Sequence, residues 1–185
     1  KVYKASADTA SLSTRITVGH QAAVHWMPQE TILFDQSALS RRLDVDLQET
    51  SEFLAVEAVL MGRQAMGETL KRGLFRDRWR IRRGQHLVHA EDMRLDGEID
   101  LLSGLPATLG GQSAFATLLY IGPMAEVFLP RVRESLGSAV GGASHWQGKL
   151  VVRLVASSGF ELRKLLVPAI AVLRNGAAVP KVWNI

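Results

Sequence analysis

The stretch that decides the fold is RDRWRIRRGQHLVHAEDMRL, residues 76–95. Arg76, Arg78, Arg80 and Arg82 alternate with Trp79 and Ile81, a period of two that puts charge on one side of an extended chain. Arg83-Gly84-Gln85 supplies a turn, and the segment from His86 to about Leu95 runs back until Asp96-Gly97 closes it. This predicts a β-hairpin. The same period recurs upstream. Leu43, Val45 and Leu47 alternate with Asp44, Asp46 and Gln48, the pattern of a strand with one wet face. Leu12, Ile16 and Val18 are set against Ser11, Ser13, Arg15 and Thr17 in the same way. Phe53 to Met61 is apolar on both faces, which predicts a strand covered on both sides, and Gly62 and Gly67 punctuate the segment after it. Ala114 to Ile121 and Leu150 to Ala156 read as two more buried strands.

Helical signals gather toward the C-terminus. Ser158-Gly159-Phe160-Glu161 has the form of a capping box. Leu162, Leu165, Leu166, Ala169, Ile170 and Leu173 then make one apolar stripe. Arg174 falls in the last turn and Gly176 just past it. Pro168 is awkward inside this helix. A shorter helix is expected between Pro123 and Leu136, where Pro130 marks a kink or the true start. The tail from Ala177 to Ile185 reads as extended, with Trp183 placed to anchor a partner. The expectation is one mainly β domain over residues 1–185, with two helices toward its C-terminus.

Composition sets the outer limits. The chain has 185 residues, 47% of them hydrophobic and 22% charged, as in a globular protein. It has no cysteine, which removes disulfides, thiolate metal sites and thiol catalysis. No apolar run approaches the roughly 18 residues a membrane span needs. Net charge is +4, a mild excess that favours acidic partners without demanding nucleic acid. No secretory signal is visible. The chain opens at Lys1 within a patterned segment, so an upstream portion is expected.

Catalytic signatures are missing. Gly110-Gly111 and Gly141-Gly142 lack the spacing of a phosphate loop, there is no nucleophile elbow, and the five histidines do not fall in a zincin pattern. A triad with distant members leaves no spacing to read. The carboxylates on apolar strands are more informative. Glu57 lies within the doubly apolar segment, and Glu91 shares a strand face with His89. Buried charges are usually paired, which points to arginines such as Arg63 or Arg94. The sharper reading is a hydrated polar path whose oxygen and imidazole ligands suit transient passage of a divalent ion such as nickel. Lys71 to Arg83 holds seven basic residues in thirteen, with Asp77 the only acid. Binding to nucleic acid through the Arg76–Arg82 stripe is the alternative function. Phe75 and Trp79 fall on the opposite parity, so stacking platforms are absent; a solvated face or one turned to an acidic protein fits better.

Several blocks taken together carry a resemblance. They are Lys1-Val2-Tyr3, Trp26-Met27-Pro28-Gln29-Glu30-Thr31-Ile32-Leu33-Phe34, Gly62-Arg63-Gln64-Ala65-Met66-Gly67-Glu68, Leu109-Gly110-Gly111, Val151-Val152-Arg153 and Pro180-Lys181-Val182-Trp183. Their order and spacing resemble the urease accessory protein D family, also called H, across essentially the whole chain. The resemblance implies a cytoplasmic scaffold and chaperone, not an enzyme. It implies partnership with urease accessory proteins F and G, the latter a GTPase, on the urease apoprotein, and a role in inserting nickel into the urease active site. Neither nucleic acid nor membrane is an implied partner, and no tightly bound cofactor is implied, only nickel in transit. The implied fold is β-helix-like, with stacked sheets and two C-terminal helices. Glu57, Glu68 and Glu91 match acidic positions of the family and would line the nickel route. Two departures stand out. Family members usually carry an upstream stretch with a His-Pro-Pro-Gly-Gly-like segment, so this sequence resembles an N-terminally incomplete member. It also has Pro-Lys-Val-Trp where Pro-Arg-x-Trp is more usual.

Overall fold

The computed structural model describes residues 1–63 and 66–183. Gln64 and Ala65 of the glycine-bracketed block, and Asn184 and Ile185 of the tail, lie outside the described residues. The protein is mainly β, as expected, and its chain divides into two compact units, residues 1–23, 32–51 and 61–111 in one and residues 24–31, 52–60 and 112–185 in the other.

The first unit is built on four strands, β1 (Ala10–Val18), β4 (Ala38–Leu47), β6 (Arg72–Arg83) and β7 (His86–Glu98), in the order β1-β4-β6-β7. β1, β4 and β6 run parallel, and β6 and β7 form the predicted antiparallel hairpin. One bulge, between Ile81 and Arg82, shifts the hairpin register. Alternation divides the faces as the sequence pattern requires. Phe75, Trp79 and Ile81 are fully buried, whereas Arg76, Arg78, Arg80 and Arg82 stay partly exposed. Leu43, Val45 and Leu47 of β4 join the buried face. Leu12 of β1, the edge strand, is exposed. A short helix that the sequence reading does not anticipate, α1 (Ile99–Gly104), follows β7 and buries only Ile99.

One polar pair sits on the buried face. Arg41 of β4 and Asp77 of β6 are direct partners in the parallel register. Arg41 Nη2 donates to Asp77 Oδ2 at 2.6 Å, and both residues are buried. The guanidinium also lies 5.2 Å from the Phe75 ring centre. Desolvating two charges is costly, and their close pairing offsets it.

The second unit holds a sheet ordered β2-β5-β8-β10-β9: β2 (Ala23–Trp26), β5 (Glu52–Met61), β8 (Ala114–Ile121), β10 (Lys149–Ala156) and β9 (Gly141–Trp146). β3 (Thr31–Leu33) is a three-residue strand. β5, β8, β10 and β9 pair antiparallel in turn. As predicted, β5 is buried along both parities, from Phe53 and Leu54 to Val59. Two helices, α2 (Ala125–Leu136) and α3 (Gly159–Leu173), lay their apolar stripes on this sheet. Ala58, Ala114 and Ala116 keep the sheet surface low beneath them, and Phe128, Val132, Leu166 and Ile170 fill the space.

The ends of α3 follow capping rules. The Ser158 side chain accepts from the Glu161 amide at 3.2 Å, as its capping box predicts. At the other end Gly176 N donates to Ala171 O and Asn175 N to Val172 O, the paired bonds of a Schellman motif. The first left-handed residue is Asn175, with φ 54°, so the helix stops one residue before the glycine. Pro130 and Pro168 both lie inside their helices on exposed positions, where water can hydrate the carbonyl each leaves without a donor.

The fold corrects two readings. The implied β-helix-like description is loose: one sheet is mixed and the other is dominated by antiparallel pairs. Trp183 is not presented to a partner. It is 2% exposed, within a single 3-10 turn (Lys181–Trp183), and belongs to the core under the helices.

Replacing Asp77 by Ala leaves Arg41 charged and buried, and should cost about 3–5 kcal/mol. Urea unfolding followed by tryptophan emission measures it. Joint replacement by Arg41→Met and Asp77→Leu should recover most of that loss.

Candidate functional site

Glu57 projects from the middle of β5 between Val56 and Ala58, on the parity of Phe53, Ala55 and Val59. It is 7% exposed, and its Oε1 accepts from the Trp26 indole Nε1 at 3.0 Å. Strand alternation thus sets a carboxylate among apolar neighbours along β5, where a donor from β2 meets it. Its register partner on β8 is Thr117, which adds a second polar side chain on the neighbouring strand.

The segment after Trp26 is fastened by the tail. Trp183 Nε1 donates to Met27 O at 3.2 Å, and Gln29 Nε2 donates to Val182 O at 3.2 Å. Arg163 of α3 grips Glu30 with two nitrogens; its Nη2 lies 2.8 Å from Oε2, and Nε pairs with Oε1. The same guanidinium sits 5.9 Å from the Trp183 ring centre. Burial by itself would raise the Glu30 pKa, but the bonds from Arg163 outweigh it and hold the carboxyl below its usual value. Near this clasp, Arg174 Nε donates to His25 Nδ1 at 3.2 Å. Burial and the adjacent Arg174 charge both push the His25 pKa down.

Glu68 stands in the first unit, on the loop between β5 and β6. Its carboxylate is held by Arg63, through Nε at 2.8 Å and Nη2 at 3.2 Å, and it also accepts from the Arg63 amide at 3.3 Å. The side-chain bond from Arg63 holds its pKa below the usual glutamate value. Gly62 makes the clamp possible. Its φ is +79°, and a Cβ there would stand 2.4 Å from Glu68 O. Arg63 also lies 4.4 Å from the Phe34 ring centre, and Tyr3 meets Phe34 edge-on at 4.9 Å. A cavity of about 410 Å³ opens beside the clamp, walled by Tyr3, Lys4, Phe34, Gln36 and Arg63.

Glu91 lies on β7 opposite Trp79, half-buried, two residues from buried His89 on the same face. The His89 and Trp79 rings are tilted with centres 6.4 Å apart. Of the arginines proposed to neutralise these carboxylates, Arg63 is engaged by Glu68 and Arg94 by Asp96 at 2.5 Å. Glu68 lies on the loop before β6 and Glu91 on β7 of the first unit, and Glu57 belongs to the second. Among the described residues, no three His, Asp or Glu side chains gather into a group that could hold a metal ion. The arginine stripe forms on β6 as read, with Phe75 and Trp79 buried on the opposite face. Among the described residues no helix is long and apolar enough to cross a membrane.

Two ion pairs with buried carboxylates, Glu30–Arg163 and Asp77–Arg41, were not anticipated from the sequence. Glu30 and Arg163 are 133 residues apart, beyond any local pattern. Asp77 did carry a signal, since it shares the parity of Phe75, Trp79 and Ile81.

Because the folded pKa of Glu30 is depressed, its clasp stabilises the tail above the ordinary glutamate value and is lost as pH falls through the lowered folded pKa. Hydrogen exchange of the Trp183 indole N–H should therefore be slow at pH 7 and accelerate at acid pH. Glu30→Gln should bring the fast exchange to pH 7.

These contacts join four of the quoted sequence blocks in pairs. The sequence profile of the family described as UreD urease accessory protein matches residues 1–184. A urease accessory protein UreD of Rhizobium leguminosarum bv. viciae is 65% identical over 185 residues, all of this chain and 68% of the relative. One from Agrobacterium fabrum is 63% identical, again along the whole chain, which covers 65% of that relative. One from Mesorhizobium japonicum is 46% identical over 189 aligned residues and is covered to 67%. The chain thus spans about two thirds of the length of these curated relatives. It belongs to the UreD urease accessory protein family.

Proposed function

We propose that this chain acts in urease maturation as a non-catalytic scaffold. In this reading it works in the cytoplasm, joins urease accessory proteins F and G on the urease apoprotein, and assists insertion of nickel. The observation that carries the proposal is identity of 63–65% along all 185 residues to proteins named urease accessory protein UreD. Nickel is cargo here, passed on to another protein's active site.

Within that reading, Glu57 is the strongest member of a transient nickel route. It is a buried carboxylate on an apolar strand, beside an indole donor, and oxygen ligands suit passage of a divalent ion. Glu91 supplies a second carboxylate next to the imidazole of His89. Glu68 would have to release Arg63 before it could bind a cation, which makes it the weakest of the three. One or two ligands at a time give weak binding, as transfer requires.

The test is co-expression of the tagged chain with accessory proteins F and G and the urease apoprotein, followed by size exclusion. Co-elution is the expected result. A folded chain that joins none of them, with or without the upstream residues of its relatives, overturns the scaffold reading.

Glu57→Gln should leave the complex intact and lower nickel-dependent urease activation by about tenfold, the scale seen when support to a metal site is removed. Full activation by this variant removes Glu57 from the route.

A further inference from the structure

The outward face of the first unit's sheet carries a concentration of charge that the maturation reading does not use. β6 contributes Arg76, Arg78, Arg80 and Arg82, β4 contributes Arg42, and β1 contributes Arg15. The parallel and antiparallel registers place these side chains in rows. Ser13, Arg42, Arg78 and Asp92 lie side by side, and Arg15, Asp44, Arg80 and Ala90 form the next row. The acids among them are Asp44, Asp46 and Asp92. Six arginines against three aspartates leave an excess of three charges, most of the +4 carried by the whole chain. Toward one end the charges cancel in pairs, Arg72 with Glu98 and Arg94 with Asp96.

The aspartates brace the arginines without saturating them. Asp92 receives Arg76 and Arg78 at 3.3 Å each and Arg80 at 3.8 Å. Asp44 accepts Arg42 through two nitrogens, at 2.5 and 3.0 Å. A carboxylate accepts about four hydrogen bonds, whereas three guanidiniums offer about fifteen. Arg80 also turns Nη1 onto Trp79 O and Glu91 O, so the donors left to solvent come mainly from Arg42, Arg76 and Arg78. The side chains of Arg42, Arg76 and Arg78 are 55%, 37% and 38% exposed.

Every cation in this patch is arginine, although the chain also contains lysine. Guanidinium forks match carboxylates in two parallel bonds, which an ammonium cannot do. Side chains about 4.8 Å apart within a row, with successive rows about 6.8 Å apart along the strands, form a lattice suited to carboxylates spaced along a peptide. Nucleic acid fits less well. The aromatic residues of β6 are buried on the other face, and three aspartates stand where phosphates would lie.

We propose that the outward face of β1-β4-β6-β7 is a docking surface for an acidic protein segment, recognised through paired guanidinium–carboxylate contacts. This stands independently of the nickel reading.

The experiment titrates the full chain with a synthetic Asp- and Glu-rich peptide of about a dozen residues, and separately with a single-stranded RNA of similar charge. The peptide should bind, and should weaken about tenfold between about 50 and 300 mM salt. Arg78→Glu with Arg82→Glu should abolish that binding, while Arg131→Glu with Lys164→Glu, the same charge change elsewhere, should leave it nearly unchanged. The triple variant Arg42→Lys, Arg76→Lys, Arg78→Lys keeps the charge and should still weaken binding severalfold. All variants lie on solvated positions, and circular dichroism checks that each is folded. The proposal is overturned if the peptide fails to bind, if both charge reversals act equally, if the lysine variant binds as well as the parent, or if RNA binds more tightly through the same arginines.

Discussion

The contact between Arg41 and Asp77 is the constraint on which the first sheet depends. It joins the two central strands in parallel register, among the buried apolar side chains of Leu43, Phe75, Trp79 and Ile81. A slip of one residue would turn Arg76 to Arg82 inward and Phe75 and Trp79 outward. Hydrophobic pattern alone already resists such a slip. The buried pair adds a discrete penalty, because any other register strands two charges away from water. The division of the sheet into an apolar face and an arginine face therefore rests on one ion pair as well as on alternation.

Much of this architecture was legible because it is local. The β6–β7 hairpin was visible in twenty residues of alternating pattern, and the start of α3 in four. The strands from Ala114 and Leu150 were found for the same reason: short apolar runs bounded by turns leave few alternatives. What escaped depends on distant partners. Trp183 looked like an exposed anchor because its burial depends on α3 and on Met27 O, neither near it in sequence. Asn175 took the left-handed position that glycine usually holds, since asparagine tolerates it and Gly176 comes directly after. The short helix α1 buries a single side chain, too little to leave a periodic stripe.

The site was legible in part. Glu57 stood out as a carboxylate in a doubly apolar strand, and its burial comes from that placement. Four of the sequence blocks behind the family resemblance touch in pairs. Trp26 to Glu30 is held by Trp183, Val182 and Arg163, whereas Gly62, Arg63 and Glu68 close on Phe34 and Tyr3. Motif spacing shows that such blocks recur in order. It does not show which block fastens which, because that is set by the return of α3 and the tail.

The path of the chain has a consequence for its synthesis. β4 and β6 are parallel neighbours, yet the residues between them leave to build β5 of the other sheet. β5 is apolar on both faces and pairs with β8, which begins about 50 residues after β5 ends. At about 5–20 residues per second, a ribosome needs several seconds to deliver that partner. For that interval only the short strands β2 and β3 are available to pair with β5, and the edge that β8 will take stays open, with no cysteine to mispair. The interleaved topology makes early protection during translation part of what this fold demands.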